Sequence, residues 1–367
     1  MGSTNSILDA INFSDVKLAS SLFLDRMTKG ENALKIHDSL FPAVQRVLNP
    51  PFIAPHLPKM YAICRQLFQY LEQDDVPNLV RLEIQEYARR AKVIPVLRRQ
   101  PSAPVGLKDI RSALQEGDVS NTAELFASAY SSMGKTEFAW RLLLIGSGYL
   151  DNSLGHSFSC TAFILQEMME HQDQDPWPAL SALADYFCKG RFSETPDLRI
   201  EKPSRREVDE CLLRAVSGSS IVDLHNTITL YAIENMRHLL APKEYGHMLA
   251  SWIEYVGDKS VELFPIDRKS DVPENYGQFY QIFSGVDAGR TVNHLAGLLD
   301  TDLKRRQMGQ FLIKALCQHY NGEYNPHFIN GLGASLWLVG RYWNQPNIAL
   351  TGLHQYISFL YDAGAVD

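Results

Sequence analysis

The segment LPKMYAICRQLFQYLE, residues 57–72, shows the pattern that decides the fold. Its apolar residues recur every three or four positions, at Met60, Ile63, Cys64, Leu67, Phe68 and Leu71. This spacing places them on one face of an α-helix, where they can pack against a protein core. The segment therefore predicts an amphipathic helix.

The same period continues along most of the chain. It predicts further helices at about 76–93, 121–132, 137–145, 155–170, 178–188, 207–216, 223–240, 242–256, 285–299, 303–320, 326–343 and 346–361. Pro95, Pro101 and Pro104 interrupt the pattern, and the stretches 191–205 and 264–277 predict irregular loops, either of which can serve as a pocket lid. Long alternating, β-branched runs are missing from the sequence.

These patterns predict an all-α fold: a single large irregular helical body with an internal pocket between helices. We expect residues 1–48 to form an N-terminal helical segment and residues 49–367 to form the main helical domain. No fixed period of about 30 to 45 residues is present, which argues against a regular solenoid.

Composition narrows the class of protein. The chain has 367 residues, of which 45% are hydrophobic, and carries a net charge of −7. An acidic balance disfavours nucleic acid and anionic membrane surfaces as partners. No apolar run reaches the ~18 residues of a membrane span, and the first residues lack a secretory pattern. We therefore expect a soluble cytoplasmic protein. Its five cysteines are widely spaced, which predicts reduced thiols.

Four histidines share one sequence setting. His56, His156, His225 and His327 each lie at or near the start of a predicted helix, beside a capping residue or a proline. The positive end of a helix disfavours imidazolium, so we expect neutral rings at pH 7. A neutral imidazole is the form that binds a metal or accepts a hydrogen bond from a phenol.

Three of these histidines begin apolar stripes at helical spacing. The stripes continue from His156 to Cys160, Phe163 and Glu167, from His225 to Thr229, Ala232 and Met236, and from His327 to Asn330, Gly331, Ala334 and Leu338. Since such stripes face the interior, the four rings can meet at one end of a pocket. Plain core packing is the competing interpretation, because neither HExxH nor the Glu-x-x-His pairs of di-iron bundles are present. His294 is a reserve ligand.

The remaining histidines carry less information. Polar neighbours predict exposure for His171, His238 and His247, whereas His37, His319 and His354 are expected to be structural. No G-x-S-x-G elbow is present, which argues against a serine hydrolase. The glycines of Gly146-Ser147-Gly148 predict a helix-ending turn, so no binding motif for NADPH or flavin is visible.

Several segments of the chain occur in an order and at a spacing that resemble those of one known family. The matching segments are Pro55-His56-Leu57-Pro58-Lys59-Met60, Val80 to Tyr87, Ile110 to Leu114 with Gly117-Asp118, Phe126, Trp140, Gly155-His156, Leu180 to Tyr186, Leu224-His225-Asn226-Thr227, Arg237 to Leu240 and Pro326-His327-Phe328-Ile329-Asn330. Together they span about residues 50 to 360. No single motif is specific, but in their order and spacing the segments resemble the questin oxidase-like family.

The chain departs from the family pattern at three positions. The family often has a second histidine where this chain has Phe163, an arginine where it has Cys160, and a lysine where it has Asn330. The four single histidines are kept, while charged positions near them are lost. The departures leave open whether this chain carries out the reaction of the family.

The resemblance implies a secondary-metabolism oxygenase (a monooxygenase or dioxygenase) that acts on an aromatic polyketide such as an anthraquinone, by oxygen insertion or C–C ring cleavage. His56, His156, His225 and His327 would bind Fe(II), and His225 and His156 would be catalytic. Phe163, Tyr231 and Trp337 would line the pocket for a small hydrophobic aromatic substrate, and Asn330 would orient a substrate oxygen or a water. The resemblance also allows NADPH as an electron source.

Two alternatives remain open. Without a metal, neutral histidines can act as general bases on an acidic phenol or enol, which describes a cyclase, isomerase or hydrolase. A non-enzymatic helical interaction protein would instead have no deep pocket and a broad exposed apolar groove. The substrate, the regiochemistry, the electron source and the oligomeric state are not encoded in any visible motif.

Overall fold

The computed structural model describes residues 6–93, 96–97, 107–199, 201–267, 270–322 and 325–366. In this part of the chain twenty α-helices and three short 3-10 helices occur with two isolated β-bridges and no sheet. The predicted all-α class is therefore confirmed. The predicted breaks at Pro95, Pro101 and Pro104 lie outside the described residues.

The first ten helices cover the chain up to residue 153. They are α1 (Ile7–Asn12), α2 (Val16–Thr28), α3 (Ala33–Ser39), α4 (Phe41–Val44), α5 (His56–Leu67), α6 (Val76–Arg89), α7 (Leu107–Glu116), α8 (Val119–Ser132), α9 (Lys135–Ser147) and α10 (Leu150–Ser153). The predicted helix 57–72 is α5 followed by the 3-10 helix Phe68–Tyr70. Gly148 follows the end of α9, which confirms the predicted turn.

The second ten helices follow. They are α11 (His156–Glu170), α12 (Trp177–Gly190), α13 (Arg205–Ala215), α14 (Ile221–Met236), α15 (Pro242–Val256), α16 (Tyr276–Phe283), α17 (Ala288–Leu295), α18 (Asp302–His319), α19 (His327–Arg341) and α20 (Pro346–Asp362). Further 3-10 helices occur at Arg237–Leu239 and Ala296–Leu298. The two predicted irregular stretches are largely non-helical. Their described residues form no helix within 192–204 or within 264–275. None of the helices in the described segments combines the length and apolar character that crossing a bilayer requires.

Polar caps explain where many of these helices begin. A side-chain oxygen at the N-cap accepts a first-turn backbone N–H and satisfies a donor that has no partner within the helix. Such caps are Ser6, Asp15, Asn32, Asp118, Ser204, Asn275, Asp287 and Thr301. At α13 the cap is reciprocal, because Glu207 also accepts the backbone N–H of Ser204.

The contacts of the chain group into two compact units. Unit 1 consists of residues 1–62, 84–203 and 232–255, and unit 2 consists of residues 63–83, 204–231 and 256–367. The predicted division between residues 48 and 49 stays a prediction.

In unit 1, α12 packs against α8, and α11 packs against α9 and α12. Aromatic rings fill the space between α8, α9 and α12. Phe126 lies edge-to-face with Phe138 and Phe187, at centroid distances of 5.7 and 6.0 Å. All three rings are buried, and edge-to-face pairs stabilise a core beyond the area they bury. This core holds α11, whose first residue is His156.

In unit 2, α19 packs against α18 and α20. Two glycines permit this close packing. A Cβ at Gly352 would lie 2.5 Å from Leu338 Cδ1, and one at Gly331 would lie 2.9 Å from Tyr356 Cδ2, so both glycines let α19 and α20 approach each other. The buried amide of Gln355 connects three further segments, since it accepts from Thr227 Oγ1 and donates to the carbonyls of Ala215 and Ser217. Gln355 therefore connects α20 to α14 and to the end of α13, and the hydroxyl of Tyr356, also on α20, donates to the carbonyl of Phe328 in the first turn of α19.

Candidate functional site

Three of the four predicted histidines are the first residues of their helices. His56 begins α5, His156 begins α11 and His327 begins α19, while His225 lies one turn into α14. All four are buried, with exposed fractions between 1 and 7%. The stripes that follow His156, His225 and His327 are buried along their length, as predicted. The predicted position of the histidines at or near helix starts is confirmed.

The turn before α11 fixes the position of His156. Leu154 and Gly155 both adopt left-handed backbone conformations, with φ of 52° and 73°. Ser157 donates from Oγ to the carbonyl of Gly146 at 2.7 Å. Gly146 allows this approach, because a Cβ there would lie 2.6 Å from the backbone oxygen of Ser157. Helix α9 therefore holds the first turn of α11 in place.

Within unit 1, His56 and His156 form a pair. Their Nε2 atoms lie 2.8 Å apart, and the two rings meet edge-on at 70° with centroids 4.5 Å apart. The Nδ1 atom of His56 lies 2.9 Å from the carbonyl oxygen of Ala54, and that of His156 lies 2.7 Å from the carbonyl oxygen of Ser153. Since a carbonyl can only accept, both Nδ1 atoms carry hydrogen.

Unit 2 contains a second pair of the same form. The Nε2 atoms of His225 and His327 lie 3.0 Å apart, and the rings again meet at 70°, with centroids 4.7 Å apart. His225 Nδ1 donates to the carbonyl of Ile221 at 2.6 Å. His327 Nδ1 lies 2.7 Å from Asn325 Oδ1, an oxygen that also accepts the backbone N–H of His327. The residues of each pair are separated by 100 and 102 positions in the chain.

Each pair thus places two Nε2 atoms next to each other. When Nδ1 carries the hydrogen of a neutral ring, Nε2 presents a lone pair. Two lone pairs at 2.8 or 3.0 Å repel each other unless a cation lies against both. A metal ion or a shared proton can be that cation. His56, His156 and His327 each offer a buried ring nitrogen suited to a metal.

The distances fit two ligands of one metal ion. Nitrogens bound at about 2.1 Å and at right angles to one another lie about 3 Å apart, whereas tetrahedral ligands lie about 3.4 Å apart. Both pairs are closer to the right-angled value. Ligating histidines also donate their other N–H to a carbonyl or carboxylate as a rule, as all four rings do. The donor set therefore fits a transition metal of octahedral or tetragonal geometry.

Asn330 has the most informative environment among the predicted substrate-binding residues. Its side chain is fully buried on α19, one turn after His327. Neither Nδ2 nor Oδ1 has a hydrogen-bond partner among the described residues. Leaving a buried amide unpaired costs about 1–3 kcal/mol, so a protein rarely keeps one without use. Asn330 is therefore available to a ligand oxygen or a water.

The three predicted aromatic walls lie farther along their helices. Phe163 is seven residues after His156, which is about 10 Å along α11, and Tyr231 is about 9 Å beyond His225 on α14. Tyr231 packs on Trp337 with ring centroids 5.8 Å apart and donates to Gln66 Oε1. Phe163 and Tyr231 are buried and Trp337 is half-buried. Their role as pocket walls stays a prediction.

Sequence reasoning missed Lys59. This lysine is fully buried on α5, one turn after His56, and its Nζ donates to Ser159 Oγ at 3.5 Å. Burial lowers the pKa of Lys59. The sequence contained an indication, because position 59 lies on the same helical face as the apolar residues Met60 and Ile63.

Two of the three histidines that were predicted to be exposed are buried. His171 is buried because it stacks on Phe41 at 4.7 Å and lies 3.1 Å from the hydroxyl of Tyr61. His247 is buried because its ring lies 3.1 Å from Ser147 Oγ and its Nδ1 accepts the backbone N–H of Arg199. Burial lowers the pKa of His247. His238 is exposed, as predicted.

Two of the histidines that were expected to be structural, His37 and His354, and the reserve ligand His294 all contact other residues. His37 stacks on Tyr61 and His354 stacks on Phe264, at 4.1 and 4.4 Å. His294 is half-buried and donates from Nδ1 to the carbonyl of Asp271. All five cysteines are free thiols, which confirms that prediction.

A scan of the chain against protein-family models finds no match. Searches of curated proteins and of solved structures also find none.

Proposed function

We propose that this protein is a metal-dependent oxygenase in which His56, His156, His225 and His327 bind iron through Nε2. The observation that supports this most directly is the repeated pair geometry, in which each Nδ1 donates to a carbonyl oxygen and two Nε2 atoms lie 2.8 or 3.0 Å apart. Imidazole is a suitable ligand for Fe(II), and each pair of histidines would supply two nitrogen ligands to such an ion. When bound, the iron supplies the activation of O₂.

The residues of the chain bind and orient the substrate in this proposal. The unpaired amide of Asn330 hydrogen-bonds an oxygen of the substrate. Phe163, Tyr231 and Trp337 provide apolar aromatic surface, which suits a flat polyketide. The resemblance to the questin oxidase-like family motivates the choice of an aromatic polyketide substrate.

The pair geometry also favours a second candidate function. A proton between two Nε2 atoms satisfies both lone pairs as well as a metal does. Such a pair can exchange a proton with an acidic phenol or enol, which describes a metal-free cyclase, isomerase or hydrolase. The two candidates differ in their metal content.

Metal analysis distinguishes them. Protein purified without chelators, or reconstituted anaerobically with Fe(II), is expected to contain about one iron per chain if the four histidines share one ion. X-ray absorption should then show nitrogen ligands at about 2.1 Å. Two ions per chain would mean that each pair binds its own metal. Failure to bind any divalent transition metal would favour the shared-proton alternative.

Replacing Asn330 tests whether its amide is kept for a ligand. The variant Asn330→Leu is expected to raise the free energy of unfolding by about 1–3 kcal/mol, because an unpaired amide is replaced by an apolar side chain of similar size. Gln355→Leu is the matched control. Its amide is equally buried but makes three hydrogen bonds, so its loss should destabilise the protein. Urea unfolding measures both, and an Asn330→Leu variant as destabilised as the control would show that Asn330 has a structural role.

A further inference from the structure

Lys59 and its neighbours in unit 1 form a second cluster of reactive side chains, which the proposed metal site does not use. Helices α5 and α11 begin with the paired residues His56 and His156. Three residues farther along each helix, Lys59 Nζ lies 3.5 Å from Ser159 Oγ. This is the one polar contact of the amine among the described residues.

Among the described residues, no carboxylate pairs with Lys59 to compensate for a charge on its amine. The groups near the amine are the hydroxyl of Ser159, the thiol of Cys160 on α11, and the phenol of Tyr186 on α12, which interacts with that thiol. Burial raises the pKa of Cys160 and of Tyr186, so both stay neutral. His56 and His156 are the first residues of the two helices that carry Lys59 and Ser159.

A lysine in this position is costly for the fold. Placing an unpaired ammonium or amine in the interior is unfavourable, and methionine fills nearly the same volume without that cost. Unsatisfied buried groups of this kind occur where a ligand completes them. A neutral amine beside a hydroxyl can accept a proton and can then hold the resulting anion.

We propose that Lys59 is a catalytic residue that receives the proton of an acidic substrate hydroxyl, a phenol or an enol, and holds the resulting oxyanion. The proton moves from the substrate oxygen to Nζ, leaving an ammonium–phenolate pair, and no other bond changes. Ser159 Oγ lies within reach of the same ammonium group. Residues three apart on a helix have Cβ atoms about 5–6 Å apart, so the bound oxygen lies one turn from His56.

This inference rests on the proposed function only in that it takes a phenolic substrate to enter beside the histidines. It is therefore tested on protein from which a chelator has removed metal, because a metal ion can itself ionise a phenol. The probe is 4-nitrophenol, whose phenol and phenolate forms absorb at different wavelengths. The pH is set so that the free probe is mainly in its phenol form.

Wild-type protein is expected to produce a saturable phenolate band, and Lys59→Met is expected to lose at least 90% of it. Lys189→Met is the control, because Lys189 is exposed at the surface and pairs with Asp185. Circular dichroism and thermal unfolding of Lys59→Met establish that the variant is folded. Lys59→Gln provides a second, polar replacement that should also lose the band.

The outcomes separate this inference from the metal proposal. If the protein binds no metal but produces a phenolate band that depends on Lys59, the role of Lys59 is supported and the iron proposal is rejected. If the protein binds metal but produces no phenolate band, or if Lys59→Met produces an equal band, the role of Lys59 is overturned and the iron proposal is retained. Absence of a phenolate band from the wild-type protein also overturns it.

Discussion

Replacing His225 by alanine is expected to lower the affinity for iron at least about 100-fold and to abolish activity. The variant removes one of two adjacent Nε2 atoms, and the lone pair of His327 then has no partner ligand at 3.0 Å. The fold should persist. In the metal-free protein the change also removes the repulsion between two lone pairs, which offsets part of the cost of the cavity left by the buried ring, so we expect the free energy of unfolding to fall by no more than about 3 kcal/mol.

His238→Ala is the matched control for this prediction. His238 follows the same helix, is exposed, and donates from Nδ1 to the carbonyl of Asn235. Its loss should change neither metal content nor activity. Elemental analysis and competition titration with a chelator measure the affinity. Unchanged iron in His225→Ala, or unfolding of the metal-free variant, would assign this ring to core packing.

His156→Ala extends the test to the pair in unit 1. If all four histidines bind one iron, this variant and His225→Ala should lose metal to a similar degree. If only one pair binds, one of the two variants should keep its metal. A stoichiometry of two ions per chain that falls to one in each variant would show two separate sites.

The sequence predicted the helices and the setting of the histidines, because both follow from local patterns. Apolar spacing marked the helix faces, and the residues before His56, His156 and His327 (two prolines and a glycine) marked where the helices begin. The pairing of the rings could not be predicted. The partners are 100 and 102 residues apart, and local periodicity carries no information about which helices become neighbours.

The wrong predictions have a common physical cause. His171 and His247 lie among polar residues, and sequence neighbours normally indicate exposure. Their burial comes from distant partners: Phe41 and Tyr61 for His171, and Ser147 and Arg199 for His247. Lys59 was missed for a related reason, because lysine is almost never fully buried and composition therefore favours the surface.

Lys59→Met is expected to stabilise the protein by about 1–4 kcal/mol, the order of magnitude by which well-packed apolar residues can stabilise a protein when they replace a buried ion pair. Lys59 is fully buried, and its one polar contact among the described residues is the hydroxyl of Ser159 at 3.5 Å. Methionine keeps the length of the side chain and removes the polar end. A gain of stability together with a loss of phenolate binding is the combination expected of a group kept for function.

The gain in the free energy of unfolding from Lys59→Met should also decrease as the pH rises. The pKa of lysine in an unfolded chain is about 10.4, and burial lowers the pKa of Lys59 in the folded protein. Between these two pKa values the unfolded chain binds more protons, so this lysine makes the wild-type free energy of unfolding rise with pH. The advantage of Lys59→Met should therefore be largest below the folded pKa and should shrink as the pH approaches about 10.

Urea unfolding of both proteins across this pH range measures the effect. The buried thiol of Cys160 also titrates there, because burial raises its pKa, and it lowers stability as the pH rises. Both proteins contain this thiol, so the difference between their free energies of unfolding isolates Lys59 to first order. A difference that is negative, or that grows with pH, would mean that the ammonium form of Lys59 is favourably paired in the folded protein, and Lys59 would then be a structural cation.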